Sequence, residues 1–464
     1  MLGRIKDNLL EKVRCGADMT LRERITLASI LSLPAILAQL STVLMQYIDA
    51  SMVGHLGAEA GASIGLVSTC TWLLGGFCMA CVSGFSVQVA HFVGAKQYEK
   101  ARSVVGQGLV AAFFFSLLLG LVAFAVSGPL PFWLGGKADI AEDAGDYFAV
   151  VSLFQPAMML SWMAAMMLQA SGNMKVPSIL NIVMCILDVC FNYLFIYTLG
   201  MGVKGAALGT GLAEGVTALL MLFFLLVRSP ELKIHRGERF LQLPRGHNLQ
   251  TAVSISAPLY LQNIIMRGAY IASTVIVAPL GTVAIAANTF AVTAEGFCYM
   301  PGYGIGDAAG TLVGQSLGAG RKDLARRFAW ITTLGGMLIM TCLAALMFAF
   351  APQMIRMMSP DPEVVDLGAR MLRIVAFAET LYGASIVAEG ACMGAGDTLA
   401  PSFISLGCMW IIRIVPAIFL VKIWGLAGFW IAMTVELCIR GIIFLLRIRG
   451  DRWMRRRIVR EGAS

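Results

Sequence analysis

The chain has 464 residues, 58% of them apolar and only 13% charged, with a mean hydropathy of +0.79. Soluble domains carry about 25% charged residues, so this composition excludes a soluble protein and defines an integral membrane one. The net charge of +8 reads as loop bias and attraction to lipid headgroups, not as a nucleic-acid surface.

Taken in chain order, residues 1–25 are charged and lack the apolar run of a cleavable signal peptide; they are read as a cytoplasmic segment. Apolar stretches of about 20 residues, each enough to cross about 30 Å of hydrocarbon as helix, then recur. Twelve spans are predicted, at 26–52, 61–90, 103–127, 145–170, 176–199, 204–227, 251–278, 284–316, 328–351, 367–394, 400–422 and 424–446. Nothing alternates as barrel strands of about 10 residues would. The expected class is therefore an all-α membrane protein. Its N-lobe is 26–227, its inter-lobe linker 228–250 with Arg236, Arg239 and Arg245, its C-lobe 251–446 and its basic tail 447–464.

The two lobes are copies. Pro34 and Pro258 lie 224 apart, as do Gly57 and Gly281, Gly94-Ala95 and Gly318-Ala319, Ala101-Arg102 and Ala325-Arg326. Ser171-Gly172 through Pro177-Ser178 matches Ala395-Gly396 through Pro401-Ser402 at the same offset. With six spans per copy both lobes enter the membrane from one side, as parallel repeats about an axis along the membrane normal do in transporters. Lys and Arg set the orientation: 26 of 35 fall in the termini and even-numbered loops and four (Lys137, Lys204, Arg356, Lys422) in the odd-numbered ones. The positive-inside rule then puts both termini in the cytoplasm.

Of the eleven Cys, all but Cys15 lie in or beside spans, and Cys78 and Cys81 form a CxxC inside an apolar helix, read as packing. The four His show no metal-ligand spacing, and no cofactor is expected. Pro301 with Gly302, Gly304, Gly306 and Gly310 is expected to bend or loosen span 8.

Charged groups inside spans cost about 2.5–3.5 kcal/mol or more each, so those that persist are site candidates. Asp188 and Asn192 are four apart on one face of span 5, and Thr210 and Glu214 four apart on span 6. At about 1.5 Å per residue, Asn192 and Asp188 lie about 10 and about 16 Å below the outer end of span 5. Thr210 and Glu214 lie about 9 and about 15 Å down span 6. With Asp49 near the outer end of span 1, these five share one depth band. Carboxylates gathered in a low dielectric cannot all stay ionised, so the cluster takes up a proton or holds a cation such as Na⁺ at Asp49, Asp188 and Asn192. Hydrogen bonding between helices is the bland alternative. At the 224 offset Asp49, Asp188 and Asn192 become Ser273, Ile412 and Pro416, so the cluster belongs to one lobe only. In the other lobe Arg267 and Arg413 have Glu295, Glu379 and Glu436 as available partners, and Glu436 and Arg440 are spaced as a local ion pair. The Met-rich span 4, with Met163 and Met167, suits a cavity for varied apolar ligands or plain packing.

Several segments resemble the MATE (multidrug and toxic compound extrusion) transporters. They are Pro34 with Asp49 and Met52-Val53-Gly54-His55-Leu56-Gly57, Leu312 to Gly320, Met393-Gly394-Ala395-Gly396-Asp397-Thr398 with Pro401, Met409 to Arg413, and Gly428-Phe429-Trp430. The resemblance covers about residues 20–455. It implies two six-helix bundles in a V, a central cavity open alternately to each side, and export of amphipathic, often cationic compounds in exchange for H⁺ or Na⁺, by a monomer in the plasma membrane. The family's N-lobe cation site uses a first-helix Asp, matched by Asp49, and a sixth-helix Thr, matched by Thr210. Its fifth-helix Asn and Asp, four apart, stand here in the order Asp188 then Asn192, and its fourth-helix Asn is Ala165. The C-lobe acidic pair of some relatives falls on Met266 and Tyr382, so the chain resembles the DinF-like branch more than the NorM-like one. Met266, Tyr382, Glu295 and Glu379 join Met163 and Met167 as candidate cavity residues. The rival readings are a lipid-linked oligosaccharide flippase or polysaccharide exporter of the same superfamily, which needs several cavity Arg or Lys, a membrane-embedded enzyme, and a channel.

Overall fold

In hydrocarbon the backbone has no water to bond, so each apolar run closes its own hydrogen bonds as helix. The computed structural model describes residues 2–136, 138–234, 242–456 and 458–459. Arg236 and Arg239 of the expected linker and the end of the expected tail, with Arg457 and Arg460, lie outside the described residues, as does Lys137.

The first half comprises α1 (Leu2–Arg14), α2 (Leu21–Gly54), α3 (Ala58–Gly94), α4 (Tyr98–Val126), the short α5 (Leu130–Trp133), α6 (Ala138–Ala170), α7 (Lys175–Tyr193) and α8 (Gly202–Phe223). Helices α7 and α8 each run on into a π-helical turn, Leu194–Thr198 and Phe224–Arg228. The second half comprises α9 (Gly246–Val277), α10 (Thr282–Gly318), α11 (Lys322–Arg356), α12 (Pro362–Ala376), α13 (Glu379–Gly394), α14 (Leu399–Gly407), α15 (Val415–Trp424) and α16 (Leu426–Arg449). A π-helical stretch, Cys408–Ile414, joins α14 to α15. Among the described residues eleven helices are long and apolar enough to cross a membrane, and twelve spans result when α12 and α13, bent by 60°, count as one.

The repeat reappears in the element boundaries. Helices α3 and α10 begin and end 224 residues apart, and α4 and α11, α6 and α12, α7 and α14, α8 and α16 begin at that spacing. The residue before α3 is Gly57 at φ 118° and the one before α10 is Gly281 at φ 93°, a region that a side chain disfavours.

Helix α10 runs as one helix through Pro301, and its glycines admit close neighbours. A side-chain carbon on Gly390 would lie 2.5 Å from the Gly306 carbonyl oxygen, and one on Gly394 would lie 2.2 Å from that of Gly310. One expectation needs correction: span 10, expected as one helix over 367–394, bends by 60° between Ala376 and Glu379. Before residue 26, α1 is amphipathic and buries Leu9, Leu10 and Val13.

The chain separates into two compact units, one of residues 41–260 and the other of the described residues up to Leu40 together with those from Leu261 onward. The expected lobes divide at the linker; the units divide inside α2 and α9, the helices that contain Pro34 and Pro258. Small residues explain the change. A side-chain carbon on Gly304 of α10 would sit 2.7 Å from the Ala35 backbone, so the first part of α2 packs with the second-half unit. One on Gly84 of α3 would sit 2.6 Å from the Ala252 carbonyl oxygen, so the first part of α9 packs with the first-half unit.

Within the first-half unit, Val67, Ala123, Ala144 and Phe148 form one apolar core, and Met45, Met184, Cys185 and Ala213 form another beside Asp188. In the second-half unit Phe429, Trp430 and Met433 of α16 belong to an extensive apolar core. That unit also carries both ends of the chain. Arg321 donates to the carbonyls of Lys12 (3.4 Å) and Ala17 (2.6 Å), holding α1 to the α10–α11 loop. In the last turn of α16 Arg447 pairs with Asp397 at 2.5 Å, and past the helix Trp453 is fully buried and Arg456 donates to the Gly396 carbonyl at 3.1 Å. Asp397 lies in the loop between α13 and α14; burial pushes its carboxyl up, opposed by the Arg447 guanidinium.

Candidate ion-binding site

Three helices of the first-half unit supply the site. Asp49 comes from the last turns of α2, Asp188 and Asn192 from the end of α7 just before its π-helical turn, and Thr210 and Glu214 from α8. The four-residue spacings put each pair on one helix face, and the packing of α7 on α8 turns those faces together. Asp188 (0% exposed), Asn192 (1%) and Glu214 (5%) are buried, while Asp49 is half-buried.

One amide ties the acids together. Asn192 Nδ2 donates to Asp49 Oδ1 at 3.0 Å and to Asp188 Oδ2 at 3.2 Å. The Asp49 and Asp188 carboxyls are themselves in contact, and the Thr210 side chain lies within hydrogen-bonding reach of Asp188. Asp188 Oδ1 and Asn192 Oδ1 are buried acceptors without a hydrogen-bond donor. Glu214 sits a turn further along, near Asp188 and within reach of Ser161. Among the described residues no Lys or Arg forms an ion pair with Asp49, Asp188 or Glu214. Carboxylates withdrawn from water and left without a cation are strongly unfavourable. Such a group becomes neutral by taking a proton, or gathers a small cation with its oxygens. The two orphan acceptors, the second Asp49 oxygen and the Thr210 hydroxyl are oxygen ligands of the kind a hard cation takes.

All five residues expected in this cluster are thus adjacent. Sequence reasoning missed two neighbours, Tyr147 of α6, partly buried near Asp49 and Asp188, and Ser161. Ser161 is a lone polar residue in an apolar run of span 4, the only signal available for it, whereas Tyr147 follows Asp146 near the start of that span. It missed a third feature, the backbone of Gly209, against which Asn192 packs.

The second-half unit treats its charges differently. Glu436 lies 3.1 Å from Arg440 and 4.0 Å from Arg413. The Arg413 guanidinium also packs over Phe429 (5.5 Å) and against the Met433 sulfur, and Arg440 packs over Tyr382 at 5.3 Å. Arg267 lies over the ring of Tyr270 at 5.7 Å. Four of the expected cavity residues are enclosed in this conformation: Met163 and Met167 are fully buried among the helices of their unit, and Glu295 and Glu379, adjacent to one another, are 5% and 0% exposed. Their helices pack over them, so none offers a surface to a ligand in this conformation. Met266 and Tyr382 are partly exposed.

Two copies of a six-span unit, with an amide-bridged cluster of acids in the first of them, define a helical membrane transporter. The comparisons with known proteins agree. The MatE family profile matches this chain twice, over residues 34–194 and 258–419, once for each copy. A probable multidrug resistance protein NorM from Thermotoga maritima is 24% identical over 438 residues, covering 92% of this chain and 93% of its own. One from Mannheimia succiniciproducens is also 24% identical, over 90% of this chain and 92% of its own. Among solved structures, a MATE transporter in complex with MaL6 superposes with a TM-score of 0.87 at 20% identity, over 92% of this chain and 96% of that one. The chain belongs to the MatE family. It is accordingly a secondary transporter of the membrane and not an enzyme.

Proposed function

We propose that the protein is an exporter of amphipathic, often cationic organic compounds, driven by inward movement of H⁺ or Na⁺ that binds at Asp49, Asp188, Asn192 and Thr210. The observation that carries this reading is the pair of carboxylates, one buried and one half-buried, bridged by a single amide and without a Lys or Arg ion pair among the described residues. The names of the relatives support the substrate class. Asp49, half-buried, is the entry side of the cluster, and Asp188, fully buried, is its interior end. An ion that neutralises the pair favours whichever arrangement of the transporter buries it, and an ion can shift that balance only by as much as it prefers one arrangement. Substrate export then follows from ion release on the other side. Placement of the acids in the first-half unit is also the ground for setting the chain nearer the DinF-like branch. A flippase reading is disfavoured because Arg413 and Arg440 are already held by Glu436.

The test is uptake of a fluorescent organic cation into inverted vesicles under separately imposed pH and Na⁺ gradients. Wild-type protein accumulates the dye with one or both gradients, and Asp49→Asn, present at equal amount in the membrane, does not. Wild-type-like accumulation by Asp49→Asn removes the proposed role of the cluster.

A further inference from the structure

Asn192 donates to both acids through one nitrogen, so the orientation of its amide decides the geometry of the whole cluster. The acids define one side of that amide. The other side faces α8, and the residue there is Gly209. A side-chain carbon built on Gly209 would lie 2.1 Å from Asn192 Oδ1, 3.0 Å from its Cγ and 2.8 Å from its backbone nitrogen. All three distances are below or at the limit of real carbon contacts. The amide oxygen that meets Gly209 is the same Oδ1 that has no hydrogen-bond donor. Among the described residues no hydrogen bond holds this end of the side chain; the space left by the missing methyl of Gly209 is what accommodates it.

The rest of the molecule shows that the repeat itself does not demand glycine there. At the 224 offset Gly209 becomes Met433 and Gly205 becomes Phe429, both large and both packed on Arg413. Gly205 shares the face of α8 with Gly209, one turn away, and its missing side chain admits the backbone of Phe195 and Ile196 at 2.9–3.1 Å. Gly205 therefore sets how closely α8 approaches the end of α7 without touching Asn192.

We propose that Gly209 is a positioning residue of the ion site: by carrying no side chain it seats the Asn192 amide between Asp49 and Asp188 and so sets the affinity of the cluster for its coupling ion. This rests on the coupling role given above to Asp49 and Asp188. With a methyl at 209 the amide, whose oxygen would lie 2.1 Å from it, must swing away, and that change breaks the hydrogen bonds to both acids together. Hydrogen bonds to charged groups carry enough energy for a change of roughly tenfold in ion affinity.

The experiment uses the full chain in inverted vesicles and reads the H⁺ and Na⁺ concentrations that give half-maximal dye uptake. Gly209→Ala is expected to shift the half-maximal concentration of the driving ion by about tenfold, whereas Gly205→Ala, which perturbs helix spacing alone, leaves it within about twofold. The double variant Gly209→Ala/Asn192→Ala is expected to match Asn192→Ala in ion dependence, because the two contacts with the amide go with it and the remaining 2.8 Å approach to the residue 192 backbone nitrogen bears on helix spacing, not on the amide. An unshifted Gly209→Ala, an equal shift in Gly205→Ala, or additive losses in the double variant would each overturn the assignment. If Gly209→Ala does not fold, the double variant should; a double variant that also fails to fold assigns Gly209 to helix packing and overturns the proposal. Asp49→Asn is measured beside them: transport by that variant sinks the coupling role itself, whereas its loss together with an unshifted Gly209→Ala sinks only the positioning role.

Discussion

Position by position at the 224-residue offset, the two halves put opposite electrostatics into the same fold. Asp49, Asp188 and Glu214 become Ser273, Ile412 and Cys438, and Glu436, Arg413 and Arg440 become Leu212, Val189 and Val216. In the first half the acids have only an amide and hydroxyls around them; in the second, Glu436 stands between two guanidinium groups. A charge-balanced group already holds its counterions, and a mobile cation could enter only by displacing an arginine. Unbalanced acids are the ones with something to gain from an ion; the contrast therefore holds between the Asp49–Asp188 cluster and Glu436, while the adjacent buried Glu295 and Glu379 of the second half lack such guanidinium partners at ion-pair distance among the described residues. The helices differ as well. Helix α6 is continuous although it contains Pro156, whereas its image breaks by 60° ahead of Glu379, with no proline at the break.

The strongest way to break this comparison is to exchange acid for amide in each half. Asp188→Asn is expected to lower driven transport on the order of a hundredfold, since a site that binds the ion equally in both arrangements shifts nothing. The same variant is expected to melt no lower than wild type, because it removes a buried charge that lacks a partner. Glu436→Gln should do the reverse. It leaves Arg413 and Arg440 buried without their carboxylate, a loss of about 3–5 kcal/mol of stability, read as a lower melting temperature in detergent. If Glu436→Gln melts with wild type while Asp188→Asn collapses, the roles assigned to the two halves are reversed.

Helix contact gives a second, smaller contrast. Gly394 of α13 approaches the Gly310 backbone within the space of a methyl group, whereas the matching positions in the first half are Ala170 and Ser86. Gly394→Ala is expected to lose about 1–3 kcal/mol by overpacking. Ala170→Gly, which removes a methyl at the last residue of α6 where glycine is tolerated, should lose less than about 1 kcal/mol. Equal losses would mean that the close α10–α13 approach contributes nothing beyond the propensity of α13.

Much of this was legible before any coordinates. Hydropathy and the offset give the spans and their pairing, because helix length in hydrocarbon is fixed by thickness and the repeat keeps its register. Asp49, Asp188, Asn192, Thr210 and Glu214 could be grouped because depth along a helix is arithmetic. The rest depends on lateral packing, which arithmetic along one helix does not contain. Nothing in Ala376–Glu379 marks a 60° bend, while Pro301, the conspicuous breaker, sits in an unbroken helix whose neighbours hold it. The Met163 and Met167 side chains look alike in sequence whether they line a cavity or fill a core, and they fill a core. The division of the units inside α2 and α9 arises from close contacts at Gly304 and Gly84, and glycine carries no sign of what will press against it.

The smallest predicted effect is the most discriminating, because it concerns the one member of the cluster that the repeat copies. Thr210 matches Thr434. In the second half the Thr434 hydroxyl donates to the Trp430 carbonyl at 2.8 Å, the use a helix makes of many buried threonines. In the first half the Thr210 side chain is within reach of Asp188. Removing a hydroxyl that serves the ion site should change the half-maximal driving-ion concentration by about two- to tenfold, the range of a single hydrogen bond; removing one that serves its own helix should leave it alone. Thr210→Ala is therefore expected to shift the ion dependence and Thr210→Ser to restore it, while Thr434→Ala behaves as wild type. A shift in Thr434→Ala of the same size would show that the hydroxyl matters for helix packing in both copies, and Thr210 would leave the list of ion-binding residues.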